Sequence, residues 1–252
     1  MLHDPLISRV CIVSLRLVTQ ADSPPPPHLV ETARKGDNAT PTRRTTGQLS
    51  TMSSHEFDAA ANALAADGWC LVHHLMTPAQ TLALADECRA MHEAHLLMPA
   101  ATGAGRAVTA LRGDSTRWFL PDSLSAPQQL FTCRIDVLRI ALSRLLMLGL
   151  VDSESQYAVY PSGAGYARHL DQLVDTDARV LSAVFYLNPA WRDDEGGALR
   201  LYLGNETYRD IYPQAGTLLL FLSAQFEHEV LPATRQRMSI ACWMRQREMA
   251  DS

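Results

Sequence analysis

The chain has 252 residues, 47% of them hydrophobic, with 22 basic against 27 acidic side chains and a formal net charge of −5. That length suits one folded domain with appendages; the mild acidity argues against a nucleic-acid partner, which usually meets a basic stripe, and no stretch approaches the roughly 18 uninterrupted apolar residues of a membrane helix. All but one of the basic residues are Arg, the exception being Lys35, so the rest of the chain is closed to Schiff-base lysines, P-loop lysines and Ser-Lys pairs.

Residues 1–51 hold six of the 14 prolines, including Pro24 to Pro27, and six basic against four acidic residues, so the remainder carries −7. Such a composition buries too little apolar surface to offset ordering entropy, and the segment is expected to be a disordered leader. The apolar run Val10 to Val18 lacks the features of a signal peptide, being interrupted by Arg16 and followed by no small-residue cleavage site. Because Met52 precedes a well-formed helix start, a misassigned start codon is the competing expectation.

From Ser53 the chain reads as folded. Ser53 and Glu56 have capping-box spacing, with Phe57, Ala60, Ala61 and Leu64 at helical period until Gly68. Trp69 to His74 reads as a strand. Thr77-Pro78 is an N-cap followed by a proline in the first turn, opening a helix to about Leu96. Residues 98–111 are small and Gly-rich, a loop with 101–106 as a candidate lid over a substrate. A third helix is expected over Pro127 to Leu148, with Leu130, Cys133, Val137, Ile140, Ala141, Arg144 and Leu145 near the 3.6-residue period.

After Asp152 the texture changes to strands: Ser155 to Tyr160, Gly165 to Asp171, Arg179 to Asn188, Ala198 to Leu203, Gly216 to Leu222, His228 to Leu231 and Arg237 to Trp243. Short strands without intervening helices indicate a sandwich or jelly roll. The expected architecture is therefore α+β, a double-stranded β-helix (jelly-roll) core of about eight strands over 151–247, with helical support over 53–150 packed on one sheet. The cysteines Cys11, Cys70, Cys88, Cys133 and Cys242 are odd in number and scattered, as suits reduced core thiols in a cytoplasmic protein.

The chemistry-bearing residues are few. His169 and Asp171 stand two apart on a strand, so both side chains leave the same face. Alone, His-x-Asp is as often a surface polar pair, but His228 begins a later strand, and two histidines with one carboxylate on adjacent jelly-roll strands form a facial triad suited to non-haem Fe(II). Arg237 follows on the final strand, where a buried guanidinium is costly unless a carboxylate meets it. His92 and His95 lack the spacing of a metal helix, His73-His74 points to both faces of a strand, Gly103-Ala-Gly-Arg106 lacks the strand-to-helix context of a phosphate loop, and Glu229 reads as a solvated strand residue.

These residues carry a family resemblance. The set His169, Asp171, His228 and Arg237 resembles the 2-oxoglutarate- and Fe(II)-dependent oxygenases. Tyr160-Pro-Ser-Gly-Ala-Gly-Tyr-Ala-Arg-His-Leu-Asp171, Ala183-Val-Phe-Tyr-Leu-Asn188, Trp191, Gly196-Gly-Ala-Leu-Arg200, His228-Glu-Val-Leu-Pro232 and Leu111-Arg-Gly-Asp-Ser-Thr-Arg-Trp118 resemble the Egl-nine type prolyl hydroxylases of hypoxia-inducible factor and their bacterial relatives acting on elongation factor Tu. The resemblance implies His169, Asp171 and His228 as iron ligands, Arg237 and Tyr186 as the 2-oxoglutarate anchor, and Tyr160, Tyr166, Arg179 and Trp243 around the substrate pocket. Arg235 is a rival for Arg237 but falls two residues early, near a turn. Fe(II) and 2-oxoglutarate are the implied cofactor and cosubstrate, ascorbate a candidate reductant, and a protein with a loop proline the implied partner of a monomer. The expected activity is protein prolyl 4-hydroxylation, with oxygen sensing as a candidate role. Its competitors are a small-molecule hydroxylase of the same chemistry and a non-catalytic jelly-roll binding module.

Overall fold

The computed structural model describes residues 52–100, 112–172, 178–204 and 206–247. The leader and the candidate lid 101–106 lie outside the described residues. Three helices come first: α1 (Ser54–Asp67), α2 (Pro78–Glu93) and α3 (Ala126–Leu146), the last preceded by a 3₁₀ turn at Pro121–Ser123. All three start with a capping box, built on Ser53 with Glu56, Thr77 with Gln80 and Ser125 with Gln128. Gly68 ends α1 in the left-handed conformation (φ 76°), where a side chain would also strike the Phe226 ring.

The strands form two antiparallel sheets. The larger contains β1 (Trp69–Val72), β2 (Met98–Pro99), β3 (Ser115–Trp118), β4 (Leu150–Tyr160), β6 (Arg179–Tyr186), β9 (Leu218–Leu222) and β11 (Arg237–Gln246), in the order β1-β9-β6-β11-β4-β3-β2. The smaller contains β5 (Tyr166–His169), β7 (Leu199–Gly204), β8 (Thr207–Ile211) and β10 (His228–Val230), in the order β5-β10-β7-β8. This is the expected jelly roll of α+β class with helices on one sheet. Among the described residues no helix is long and apolar enough to cross a membrane.

Strand parity divides the large sheet between two cores. Tyr157, Val159, Leu181, Ala183, Phe185, Ile240 and Met244 pack with Leu64, Leu84, Phe131, Ile135, Leu138 and Leu142 of the helices. Their neighbours of opposite parity, Val184, Tyr186, Leu219 and Phe221, pack with Leu199, Leu201 and Ile211 of the small sheet. The site lies in this second layer.

Four readings of the sequence need correction. The buried stripe of α3 is Gln128, Phe131, Ile135, Leu138 and Leu142, whereas Val137, Ile140, Arg144 and Leu145 are exposed. The helix carries two apolar stripes, and the one with Phe131 wins because its ring packs against Phe119 and Phe185. Strand β4 starts at Leu150, five residues earlier than its pattern indicates. Strands β2, β3 and β8 are additional; all three are short and largely exposed, so they carry little apolar alternation. Neither His73 nor His74 is buried, since β1 ends at Val72, and His74 instead pairs with Glu56 at 2.6 Å. The cysteines follow the expectation where described: Cys70, Cys88 and Cys242 are buried free thiols, each pushed up to about 12 by burial, and Cys133 is half-buried.

Asn188, just after β6, closes the sheet beside Arg237. Its amide N–H groups donate to the carbonyls of Pro213 (2.9 Å) and Met238 (2.8 Å), and its Oδ1 accepts from the Met238 N–H (2.7 Å), all buried. Replacing it with Ala strands the Pro213 carbonyl and the Met238 N–H, whereas the Met238 carbonyl keeps the Leu187 N–H at 3.2 Å. Asn188→Ala is expected to lower the unfolding free energy by about 2–4 kcal/mol in urea titration; an unchanged midpoint would show these bonds to be dispensable.

Candidate active site

The pairing of β10 with β5 sets His228 directly opposite His169. Directly opposed residues of an antiparallel pair share a face, and here the imidazole centroids are 4.2 Å apart. Close approach of the two strands requires Gly165, where a Cβ would stand 2.5 Å from the Val230 carbonyl oxygen. Asp171 follows two residues after His169 and reaches both rings, with Oδ1 3.6 Å from His169 Nε2 and Oδ2 3.7 Å from His228 Nε2. Ligand atoms of all three lie within 4.8 Å of one another, the only such group among the described residues.

Both rings are oriented from behind. Nδ1 of His169 lies 2.8 Å from the Ala167 carbonyl and Nδ1 of His228 lies 3.2 Å from that of Phe226, which fixes those nitrogens as donors and turns each Nε2 toward Asp171. Tyr166 stacks on His169 at 3.7 Å and Phe221 meets the His228 ring edge-on at 4.8 Å. Burial pushes the His228 imidazolium down, against the opposing pull of Asp171. Burial alone would push the Asp171 carboxyl up, but His228, His169 and the Ser182 hydroxyl outweigh it and hold it well below the usual carboxylate range. A carboxylate and two imidazoles meeting at one point are the donor set of a divalent metal, and three ligands on one side leave positions open on the other.

Arg237 is 1% exposed. Its Nε donates to the Gly197 carbonyl (3.0 Å) and Nη1 to Ser239 Oγ (3.3 Å), while the guanidinium lies between the rings of Tyr160 and Tyr186, at 5.1 and 5.3 Å. Nη2 has no partner among the described residues, and neither does the hydroxyl of Tyr186. Burial, partly offset by Arg237, pushes that hydroxyl up to about 12, so it remains a donor. A buried cation and a buried hydroxyl, both unsatisfied, form a cradle for a carboxylate. Arg235 takes no part: it covers the Trp191 ring at 4.1 Å and pairs with Glu195 at 3.0 Å.

The remaining predicted residues separate into two groups. Tyr160 and Tyr166 belong to the metal side, where Tyr160 is the cross-strand partner of Arg237 and Tyr166 packs with it. Burial raises both phenols, so they too are neutral donors. Arg179 and Trp243 belong to a trough on the same face of the large sheet, with the Arg179 guanidinium 3.9 Å above the Trp243 ring. Ser182, the cross-strand neighbour of Trp243, bonds Ser223 at 2.9 Å and helps to hold the Asp171 carboxyl down, which links this cluster to the triad.

Several residues of the site escaped sequence reasoning. Trp118 is 43% exposed and lies 5.8 Å from Trp243, forming the second wall of the trough. Arg112 lies over Tyr166 at 4.7 Å and is held by the buried carboxylate of Asp114 at 2.7 Å. The segment Leu111 to Trp118 bears the family resemblance, and alternation along β3 places Thr116 and Trp118 on one face; that was the available signal. Glu154, which grips Arg179, had none. Glu229 is not simply solvated, since it accepts from the Tyr202 hydroxyl at 2.6 Å.

Comparison with known proteins agrees with this geometry. Residues 155–245 match the 2OG-Fe(II) oxygenase superfamily. A prolyl-4-hydroxylase from Pseudomonas putida is 40% identical, with a TM-score of 0.70 over 76% of this chain and 99% of that one. A prolyl hydroxylase from Trichoplax adhaerens, solved with a peptide fragment of the hypoxia-inducible-factor oxygen degradation domain, is 26% identical, with a TM-score of 0.70 over 76% and 90% of the two chains. A prolyl 4-hydroxylase from Phytophthora capsici, at 17% identity and a TM-score of 0.57 over 80% and 69%, shares the fold. With the ligand set, the carboxylate cradle and a relative matched over nearly its whole length, the chain belongs to the prolyl hydroxylase family of 2-oxoglutarate- and Fe(II)-dependent oxygenases.

Proposed function

We propose that the chain is a protein prolyl 4-hydroxylase, acting on a proline in an exposed loop of another protein, with elongation factor Tu as a candidate. The observation that carries this reading is the exposed indole of Trp118 on the face of the large sheet turned toward the triad. Trp118, 43% exposed, offers an aromatic face to a proline ring, as Pro-rich segments commonly receive, and is backed by Trp243, which lies buried beneath the Arg179 guanidinium. The 40% identity to a prolyl-4-hydroxylase supports the same choice.

In this reading His169, Asp171 and His228 would hold Fe(II), which would supply the redox chemistry by which O₂ and 2-oxoglutarate give succinate, CO₂ and a hydroxylated proline. The protein's own groups bind and orient. Arg237 Nη2 and the Tyr186 hydroxyl donate to the distal carboxylate of 2-oxoglutarate, completing the two buried groups that lack partners. Tyr160 and Phe221 keep the surroundings apolar and exclude water. Arg112 and Asp114 fix Tyr166, and Tyr166 fixes the plane of His169.

Incubation of the enzyme with Fe(II), 2-oxoglutarate and lysate of a deletion strain should add the mass of one oxygen atom to a proline of a protein, and His169→Ala should abolish both this and iron binding. Modification confined to small metabolites would overturn the protein-substrate reading.

Arg237→Ala should raise the 2-oxoglutarate dissociation constant roughly 10–100-fold and Tyr186→Phe about 5-fold, as losses of a charged and a neutral hydrogen bond. Titration calorimetry without O₂ reads both, and an unchanged constant in Arg237→Ala would return the anchor to Arg235.

The metal-free protein should lose stability on acidification. Because His228 is depressed in the fold, the unfolded chain takes up its proton first, near pH 6.5, and stability falls as pH drops from there toward the folded value. The depressed Asp171 adds stability above about pH 4 that is lost below it. Thermal unfolding in EDTA should show Tm falling from pH 7 to 5, with a smaller fall in His228→Gln; parallel curves would assign the loss elsewhere.

A further inference from the structure

The trough holds four charges that the proposed chemistry does not use. Glu154 lies directly across from Trp243 on β4, and its Oε1 accepts from both Nε (3.0 Å) and Nη2 (2.7 Å) of Arg179, the guanidinium that covers the Trp243 ring. Its second oxygen stands 3.5 Å from Arg245 Nη1, and Arg245 is separately gripped by both oxygens of Asp152, at 2.8 and 2.9 Å. Two carboxylates thus meet two guanidinium groups, and among the described residues their charges cancel. The Arg179 and Glu154 side chains are only 14% and 27% exposed, so water screens their contact less than that of an open surface pair. The Nη1 edge of Arg179 makes no hydrogen bond among the described residues. It is a donor on a group whose charge is already cancelled.

We propose that Glu154 is a specificity-determining positioning residue: it clamps Arg179 flat on Trp243 and neutralises it, so the trough offers a hydrogen-bond donor to the substrate without selecting acidic residues beside the target. The nature of that target rests on the prolyl hydroxylase reading; the neutralisation does not. An unclamped Arg179 would be a half-buried cation with an aromatic backing, which attracts carboxylates. In Glu154→Gln the Arg245 guanidinium keeps its two-oxygen contact with Asp152, so Arg179 is the cation laid bare.

Quenching of tryptophan fluorescence tests this without a substrate. Iodide, an anion, and acrylamide, a neutral molecule, should quench the exposed indole of Trp118 to similar relative degrees in the parent protein, whereas in Glu154→Gln the iodide-to-acrylamide ratio should rise about twofold. The rise should vanish in Glu154→Gln/Arg179→Gln and in Glu154→Gln/Trp118→Phe, which removes the exposed indole. A merely structural loosening would raise both quenchers together; an unchanged ratio, or a joint rise, overturns the proposal. Two synthetic proline peptides differing only in Asp or Asn beside the proline then read the specificity: the parent should show equal KM for both, and Glu154→Gln should favour the Asp peptide roughly 5-fold. A parent enzyme that already favours the Asp peptide by that factor also overturns it. If neither enzyme hydroxylates either peptide, the prolyl reading fails, and the quenching ratio still decides the role of Glu154.

Discussion

Strand register is the constraint on which the site depends. Side chains alternate across a strand with a period of two, so slipping β10 against β5 by one residue would carry His228 out of the inter-sheet space and leave His169 facing nothing it could share a metal with. The same parity assigns Tyr186, Trp243 and Arg237 to one face of the large sheet and Phe185, Cys242 and Met238 to the other. Core packing against the helices therefore holds the site in register: a large sheet fixed on one side by Phe131, Ile135 and Leu138 cannot shift on the other.

The two halves of the site are built differently. The metal half is made from short strands, β5 and β10, whose alignment is tightened by Gly165 and whose histidines are steered by backbone carbonyls. The anchor half sits on β11, a ten-residue strand paired along nearly its whole length with β4 and β6. A cation on a rigid strand can be buried without its partner only because its Nε and Nη1 are already satisfied by Gly197 and Ser239.

Much of this was legible in the sequence, for stated reasons. The grouping of His169 and Asp171 could be read from their two-residue spacing, although β5 ends at His169 and Asp171 stands in the bend beyond it rather than on the strand; the burial of Arg237 could be read from its place in the apolar final strand. Helix starts at Ser53 and Thr77 were legible because capping is local chemistry. The face of α3 was not. Leu130, Val137, Ile140 and Leu145 repeat as well as Phe131, Ile135, Leu138 and Leu142, and only the shape of the sheet beneath chooses between them. Strand β8 was invisible because its Tyr208 and Asp210 pair across to Tyr202 and Arg200 at the edge of the small sheet, leaving Ile211 alone buried. The clamp of Glu154 on Arg179 spans 25 positions and two strands that meet only through β11, a long-range relation with no local trace.

The Nη2 of Arg237, without a partner among the described residues, has a consequence for the lifetime of the protein. A group that binds the folded chain and not the unfolded one stabilises it by mass action, by about 2.7 kcal/mol at one hundred times its dissociation constant. On the proposed assignment the cosubstrate supplies the acceptor that the core lacks, so resistance to unfolding and proteolysis rises with its concentration. The amount of enzyme in a cell and the supply of the metabolite it consumes are then tied together by one buried hydrogen-bond donor.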